Sequence, residues 1–118
     1  MNNPKLKIVV PGSKTLDFVL LEEIVRCEGL QNYTRLYLID GRSIISSSNI
    51  GVFKSVLSNQ DFFCTHKSHL VNINHITRYH KVGRVEMADK SFVPVARRKK
   101  EEFQQQILKS EEILSLSA

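Results

Sequence analysis

The side chains best suited to chemistry fall in two short runs. The first is His66-Lys67-Ser68-His69, inside the stretch Phe62 to Arg78, FFCTHKSHLVNINHITR. Imidazole, ammonium and hydroxyl groups side by side can all donate hydrogen bonds to anionic oxygens and to base edges. Core-type residues flank this knot: Phe62 and Phe63 before it, then Leu70, Val71, Ile73 and Ile76 after it. Such a pattern describes a surface turn clamped at both ends, and rigidly held loops are where binding residues concentrate. The second run is Arg97-Arg98-Lys99-Lys100, placed where a helix should begin. Cations there oppose the helix dipole, so an anion from outside the helix is expected to compensate them. Pairing of Arg97 with Glu101 and of Arg98 with Glu102 is the competing explanation. In that order each pair contributes only about 0.2–0.5 kcal/mol.

Other chemistries lack their constellations. Cys64, His66 and His69 are close enough in sequence to suggest a metal site, but no paired CxxC or HExxH spacing is present. In one continuous extended segment, Cys64 and His66 would also face away from His69. His75 and His80 read as surface or hydrogen-bonded structural histidines. Ser68 beside a histidine is not a triad without an orienting acid and an oxyanion hole, and no G-x-S-x-G elbow exists. The adjacent carboxylates Glu22-Glu23 and Glu101-Glu102 read as solvated surface, and no glycine-rich phosphate loop or dinucleotide fingerprint is found. No enzymatic activity, metal or cofactor is expected.

Charge points instead to a polyanionic partner. The chain of 118 residues carries a formal net charge of +5. Between Phe62 and Lys100 there are nine Lys and Arg against Glu86 and Asp89, a net of +7, while the chain from Glu101 onward is acidic. A basic stretch of this density attracts polyanions by steering and counterion release. The alternative is a set of solvated strand faces with no partner. Hydrophobic residues at 42% and charged residues at 25% are globular values, and the length suits one domain with one core. Two cysteines are too few for a disulfide framework. No apolar run approaches the roughly 18 residues of a membrane span, and the first residues lack a signal-peptide pattern. A cytoplasmic location without membrane contact is expected.

The elements that must position the two runs are mostly strands. Leu6, Ile8 and Val10 alternate, as do Leu16, Phe18 and Leu20, with Pro11-Gly12-Ser13 between them. This predicts a hairpin burying those residues. A short strand over Ile24 to Glu28 precedes the clearest one, Tyr33 to Ile39. Asp40-Gly41 then predicts a two-residue turn with both residues at positive φ, returning as Arg42 to Ser46. Ser47-Ser48-Asn49 offers N-caps for a helix over Asn49 to Ser58, with Ile50, Phe53 and Leu57 on one face. Ile76 to Lys81, Arg84 to Ala88 and Phe92 to Val95 read as further strands, the last at an edge or bulged because Pro94 cannot donate. A helix from Arg97 to about Ser110 carries Phe103, Ile107 and Leu108 on one side. The fold class expected is mostly β, with about eight to ten short strands, one short internal helix and a C-terminal helix.

Aromatic placement separates duplex from single-stranded targets. Phe18, Phe53, Phe62, Phe92 and Phe103 fall on predicted core faces. Tyr33, Tyr37 and Tyr79 are candidates for exposure but are not clustered as a stacking platform would be. Duplex DNA is therefore the better target.

The hairpin NYTRLYLIDGR, the stretch FFCTHKSHLVNINHI and the ending SFVPVARRKKEEF together resemble the LytTR DNA-binding domain of bacterial response regulators, over roughly Leu6 to Leu108. The motif H-[RK]-S-x-[LI]-V-N followed by a basic V-x-R-R run carries the likeness. It implies an elongated arrangement of small antiparallel sheets that reads successive major grooves of promoter DNA through loops. It also implies homodimers on imperfect direct repeats, with a receiver domain or sensor kinase upstream. The boundaries expected are a lead-in over 1–5, the domain over 6–110 and a tail over 111–118, the chain being an excised output domain or a stand-alone regulator. Residue by residue, the resemblance assigns DNA contact to Asn32 and Tyr33, to His66, Lys67 and Ser68, and to Arg97, Arg98, Lys99 and Lys100. Lys67 and Arg97 suit guanine O6/N7 edges, while Ser68, Lys99 and Lys100 suit phosphates. Two departures stand out: Cys64 replaces a frequent arginine, removing one anion contact, and Ala96 replaces a frequent serine. The alternative function is a β-rich RNA-binding or protein-interaction module using the same basic face.

Overall fold

Side-chain alternation builds ten short strands and two helices, and a computed structural model describes residues 6–110 and 113–116. The expected lead-in over 1–5 lies outside the described residues, as do 111–112 and 117–118 of the tail. Strands β1 (Lys7–Pro11) and β2 (Leu16–Leu20) form a two-stranded ribbon. A five-stranded antiparallel sheet follows, containing β3 (Ile24–Leu30), β4 (Tyr33–Leu38), β5 (Ser43–Ser46), β6 (Phe62–His66) and β7 (His69–Asn72), in the order β5-β4-β3-β7-β6. The third sheet runs β10-β9-β8, from β8 (Ile76–His80), β9 (Arg84–Met87) and β10 (Phe92–Pro94). Pro94 does lie on an edge strand, as its missing N–H requires. Helix α1 (Ile50–Val56) starts where Asn49 accepts a hydrogen bond from the Val52 amide, 3.3 Å away.

The five-stranded sheet is the middle layer, with a core on each face. Ile24, Cys27, Leu36, Leu38, Phe62 and Leu70 meet the ribbon, Phe53 of α1 and Leu57 at its C-cap on one side. On the other side Val25, Phe63, Val71 and Ile73 meet Val85, Met87 and Val93 of the small sheet and Phe103 of helix α2 (Lys100–Lys109). Phe103 is fully buried and takes edge-on contacts from Phe63 at 5.3 Å and Tyr79 at 5.1 Å between ring centroids. Asn72, at the end of β7, is buried and its amide donates to the carbonyls of Leu21, at 3.3 Å, and Ile24, at 2.9 Å. The molecule extends 48 × 29 × 24 Å.

Three expectations need correction. The alternation in β2 runs in the opposite phase: Val19 is buried, whereas Leu16 and Phe18 are exposed at 61% and 63%. Cross-strand pairing sets this, because Ile8 faces Val19 while Val9 faces Phe18 and Pro11 faces Leu16 on the outer side. Phe92 is likewise exposed, paired with Glu86 on the outer face of the small sheet, with the Arg84 guanidinium 4.8 Å and the His80 ring 5.8 Å from its ring centroid. The Asp40-Gly41 turn is also one residue longer than expected. Gly41 alone takes positive φ (93°), its amide bonds to the Leu38 carbonyl, and the Leu38 amide bonds to the Arg42 carbonyl. That is a three-residue loop closed by a glycine bulge.

Candidate nucleic-acid interface

Strand pairing brings the predicted residues together. The β3–β4 turn over Gln31 and Asn32 and the β6–β7 turn over Lys67 and Ser68 close the same end of the five-stranded sheet, since Glu28 pairs with His69 across β3 and β7. The Gly29 amide donates to the Ser68 carbonyl at 2.8 Å, tying one turn to the other. The Ala96 amide donates to the Thr65 carbonyl at 2.8 Å, which sets the start of the Arg97 run beside the same hairpin. Asn32, Lys67, Arg97 and Arg98 are exposed along this rim, and Tyr33 is 54% exposed beside Asn32.

The basic run is not uniform. Arg97 to Lys99 form a 3-10 turn, and the α-helix begins only at Lys100, with Glu101 and Glu102 in its first turn. The three leading cations thus precede the helix proper, and its N-terminal end receives acids, as the dipole favours. No ion pair joins Arg97 to Glu101 or Arg98 to Glu102 among the described residues. Lys99 points its ammonium toward the Phe63 ring, 5.8 Å from the centroid, and Lys100 lays its stem against Gly83, so both are half-buried while the arginines are free.

His66 and His69 are neighbours, not residues on opposite faces. They pair directly across a β-bulge with ring centroids 5.7 Å apart, because the stretch folds back as a hairpin instead of running on extended. The Ser68 amide points at His66 Nδ1, 3.4 Å away. His69 is half-buried, and burial pushes its imidazole below the ordinary value, partly countered by Glu28. Cys64 donates its thiol to the His66 carbonyl at 3.1 Å, a bond along the hairpin.

One contributor had not been singled out. Lys54 of α1 sends its ammonium to the Lys67 carbonyl at 2.8 Å, so both carbonyls of the β6–β7 turn are held, one by Lys54 and one by Gly29. Lys54 interrupts the apolar face of α1 in the sequence, but nothing in its spacing reveals a partner on a later hairpin. Behind the rim, Tyr37 donates to Glu28 at 2.8 Å and Arg26 stacks on the Tyr37 ring at 3.8 Å, so this face of the sheet is a linked polar surface. Burial and the Glu28 bond raise the Tyr37 hydroxyl above its usual range.

The family model of the LytTr DNA-binding domain matches residues 14–108. This chain belongs to the LytTr DNA-binding domain family. Among solved structures, the LytTr DNA-binding domain of a putative methyl-accepting/DNA response regulator from Bacillus cereus superposes with a TM-score of 0.74. The two share 18% sequence identity, over 88% of this chain and 98% of that one. No curated protein matches. The likeness to that structure is one of fold, and no helix among the described residues is long and apolar enough to cross a membrane.

Proposed function

We propose that this LytTr domain is a sequence-specific duplex-DNA-binding output domain of a transcriptional regulator, working in the cytoplasm as part of a response regulator. The observation that carries the reading is the rim itself: three turns from distant parts of the chain, joined by two backbone hydrogen bonds, carrying Asn32, Lys67 and Arg97 outward. Lys67 and Arg97 read guanine edges, with Asn32, Tyr33, His66 and Arg98 beside them, while Ser68, Lys99 and Lys100 contact phosphates. Binding as a homodimer on imperfect direct repeats, under control of a receiver domain or sensor kinase, completes the proposal.

The test starts from a duplex selected by this chain out of a randomised pool. Arg97→Ala should weaken binding to that duplex by about 1–3 kcal/mol and relax preference at one base pair, with little change on a random duplex. Equal losses on both duplexes would refute base reading by Arg97. Preference for single-stranded RNA over the selected duplex would move the assignment to the RNA-binding alternative.

A further inference from the structure

The β8–β9 turn, Lys81-Val82-Gly83, lies on the same rim although no motif marks it. The Gly83 carbonyl accepts from the Val95 amide at 2.8 Å, and the next residue, Ala96, is bonded to Thr65 of the central hairpin. The turn is therefore continuous with the start of the Arg97 run. Gly83 has φ +127°, and a Cβ there would stand 3.0 Å from Lys100 Cε and 3.3 Å from the Val95 carbonyl oxygen. The Lys100 stem thus lies across the turn. Lys81 and Arg84 flank it, both exposed, and Val82 at its tip is 83% exposed. Arg84 is held over the Phe92 ring, and Glu86, the acid on this face, lies 3.7 Å from His80 Nε2. Among the described residues none of Lys81, Arg84 or Lys100 forms an ion pair.

We propose that this turn is a fourth contact of the interface, gripping the phosphodiester backbone of the duplex through Lys81, Arg84 and Lys100. The inference rests on the duplex reading above and extends it beyond the three turns that face bases. Phosphate is the favoured ligand because the ammonium groups of Lys81 and Lys100 supply point charge around a protruding turn, and the Arg84 guanidinium beside them matches phosphate oxygens with its fork of donors. Such contacts position the protein and carry no sequence information. The same sheet supplies a control: Lys90 sits in the β9–β10 turn, at the opposite end of β9 and about 10 Å or more away by strand rise.

Binding of the full chain is measured on the selected duplex and on a random duplex of equal length, at roughly 50 to 200 mM salt. Lys81→Ala combined with Arg84→Ala should weaken both duplexes by the same factor and flatten the slope of log K against log salt by about 1.8, two phosphates' worth. Lys81→Ala alone, on an exposed turn that leaves the Arg84–Phe92 contact intact, should flatten it by about 0.9. Lys90→Ala removes the same charge and should leave the slope unchanged. An unchanged slope in the Lys81 variant, or an equal change in the Lys90 variant, would overturn the fourth contact. A native chain that selects no sequence and binds neither duplex would instead defeat the duplex reading on which it rests.

Discussion

Phe103→Leu tests how firmly the Arg97 run is fixed to the sheet. Phe103 is the fully buried anchor of α2, and it touches Phe63 of β6 and Tyr79 of β8 edge-on. Leucine keeps an apolar side chain in place but forfeits both ring pairs, each worth about 0.5–1.5 kcal/mol, and leaves a partial void. The combined loss should be about 2–4 kcal/mol, against a total stability of roughly 5–15 kcal/mol for a domain of this kind. Urea unfolding followed by circular dichroism measures it directly, since a slope of about 1–3 kcal/mol per molar converts the loss into a midpoint shift of roughly a molar or more. A double-mutant cycle with Phe63→Leu should return a coupling of about 0.5–1.5 kcal/mol. A loss below about 0.5 kcal/mol, typical of exposed sites, with no coupling to Phe63, would refute the docking of α2 that the rim depends on.

Lys54→Ala should weaken binding to the selected duplex more than to the random one while changing stability by less than about 1 kcal/mol, because its bond to the Lys67 carbonyl fixes the turn; paired gel shifts and melts check this. Cys27 is fully buried and its thiol is pushed up to about 12 by that burial, so it should resist alkylation at pH 8 until the chain unfolds, as mass spectrometry of labelled peptides would show. His69 has its imidazole lowered chiefly by burial, so the fold favours the neutral ring. The resulting stability is complete above the ordinary value of 6.5 and is lost as pH falls from there through the lowered folded value. Urea midpoints from pH 7.5 to pH 5 should therefore fall less in His69→Gln than in the native chain.

Local features of the chain were legible where one element decides its own form. Asn49 caps its helix as its side chain suggests, Pro94 sits at an edge, and the strand Tyr33–Leu38 follows its alternation. Cross-strand register was not legible, even within a local hairpin. The phase of β2 depends on which β1 residue faces it, and the meeting of His66 with His69 depends on a hairpin whose bulge no spacing announces. The candidate site divides the same way. Residue types marked Lys67 and Arg97, but the hydrogen bonds from Gly29 to Ser68 and from Ala96 to Thr65, which gather them, join strands far apart in sequence. Lys54 and the Gly83 turn enter the rim only through such contacts. The two departures from the family pattern are accommodated locally. Cys64 bonds along its own hairpin, and Ala96 contributes its backbone amide, which a serine would have supplied equally well.

The most direct measurement is a titration of isotope-labelled chain with the selected duplex, followed by amide chemical shifts in two-dimensional NMR. Shifts confined to residues near 31–33, 66–68, 81–84 and 96–100 are what a single DNA-facing rim requires. Shifts centred on the exposed β1–β2 face around Leu16 and Phe18, with the rim unmoved, would contradict it.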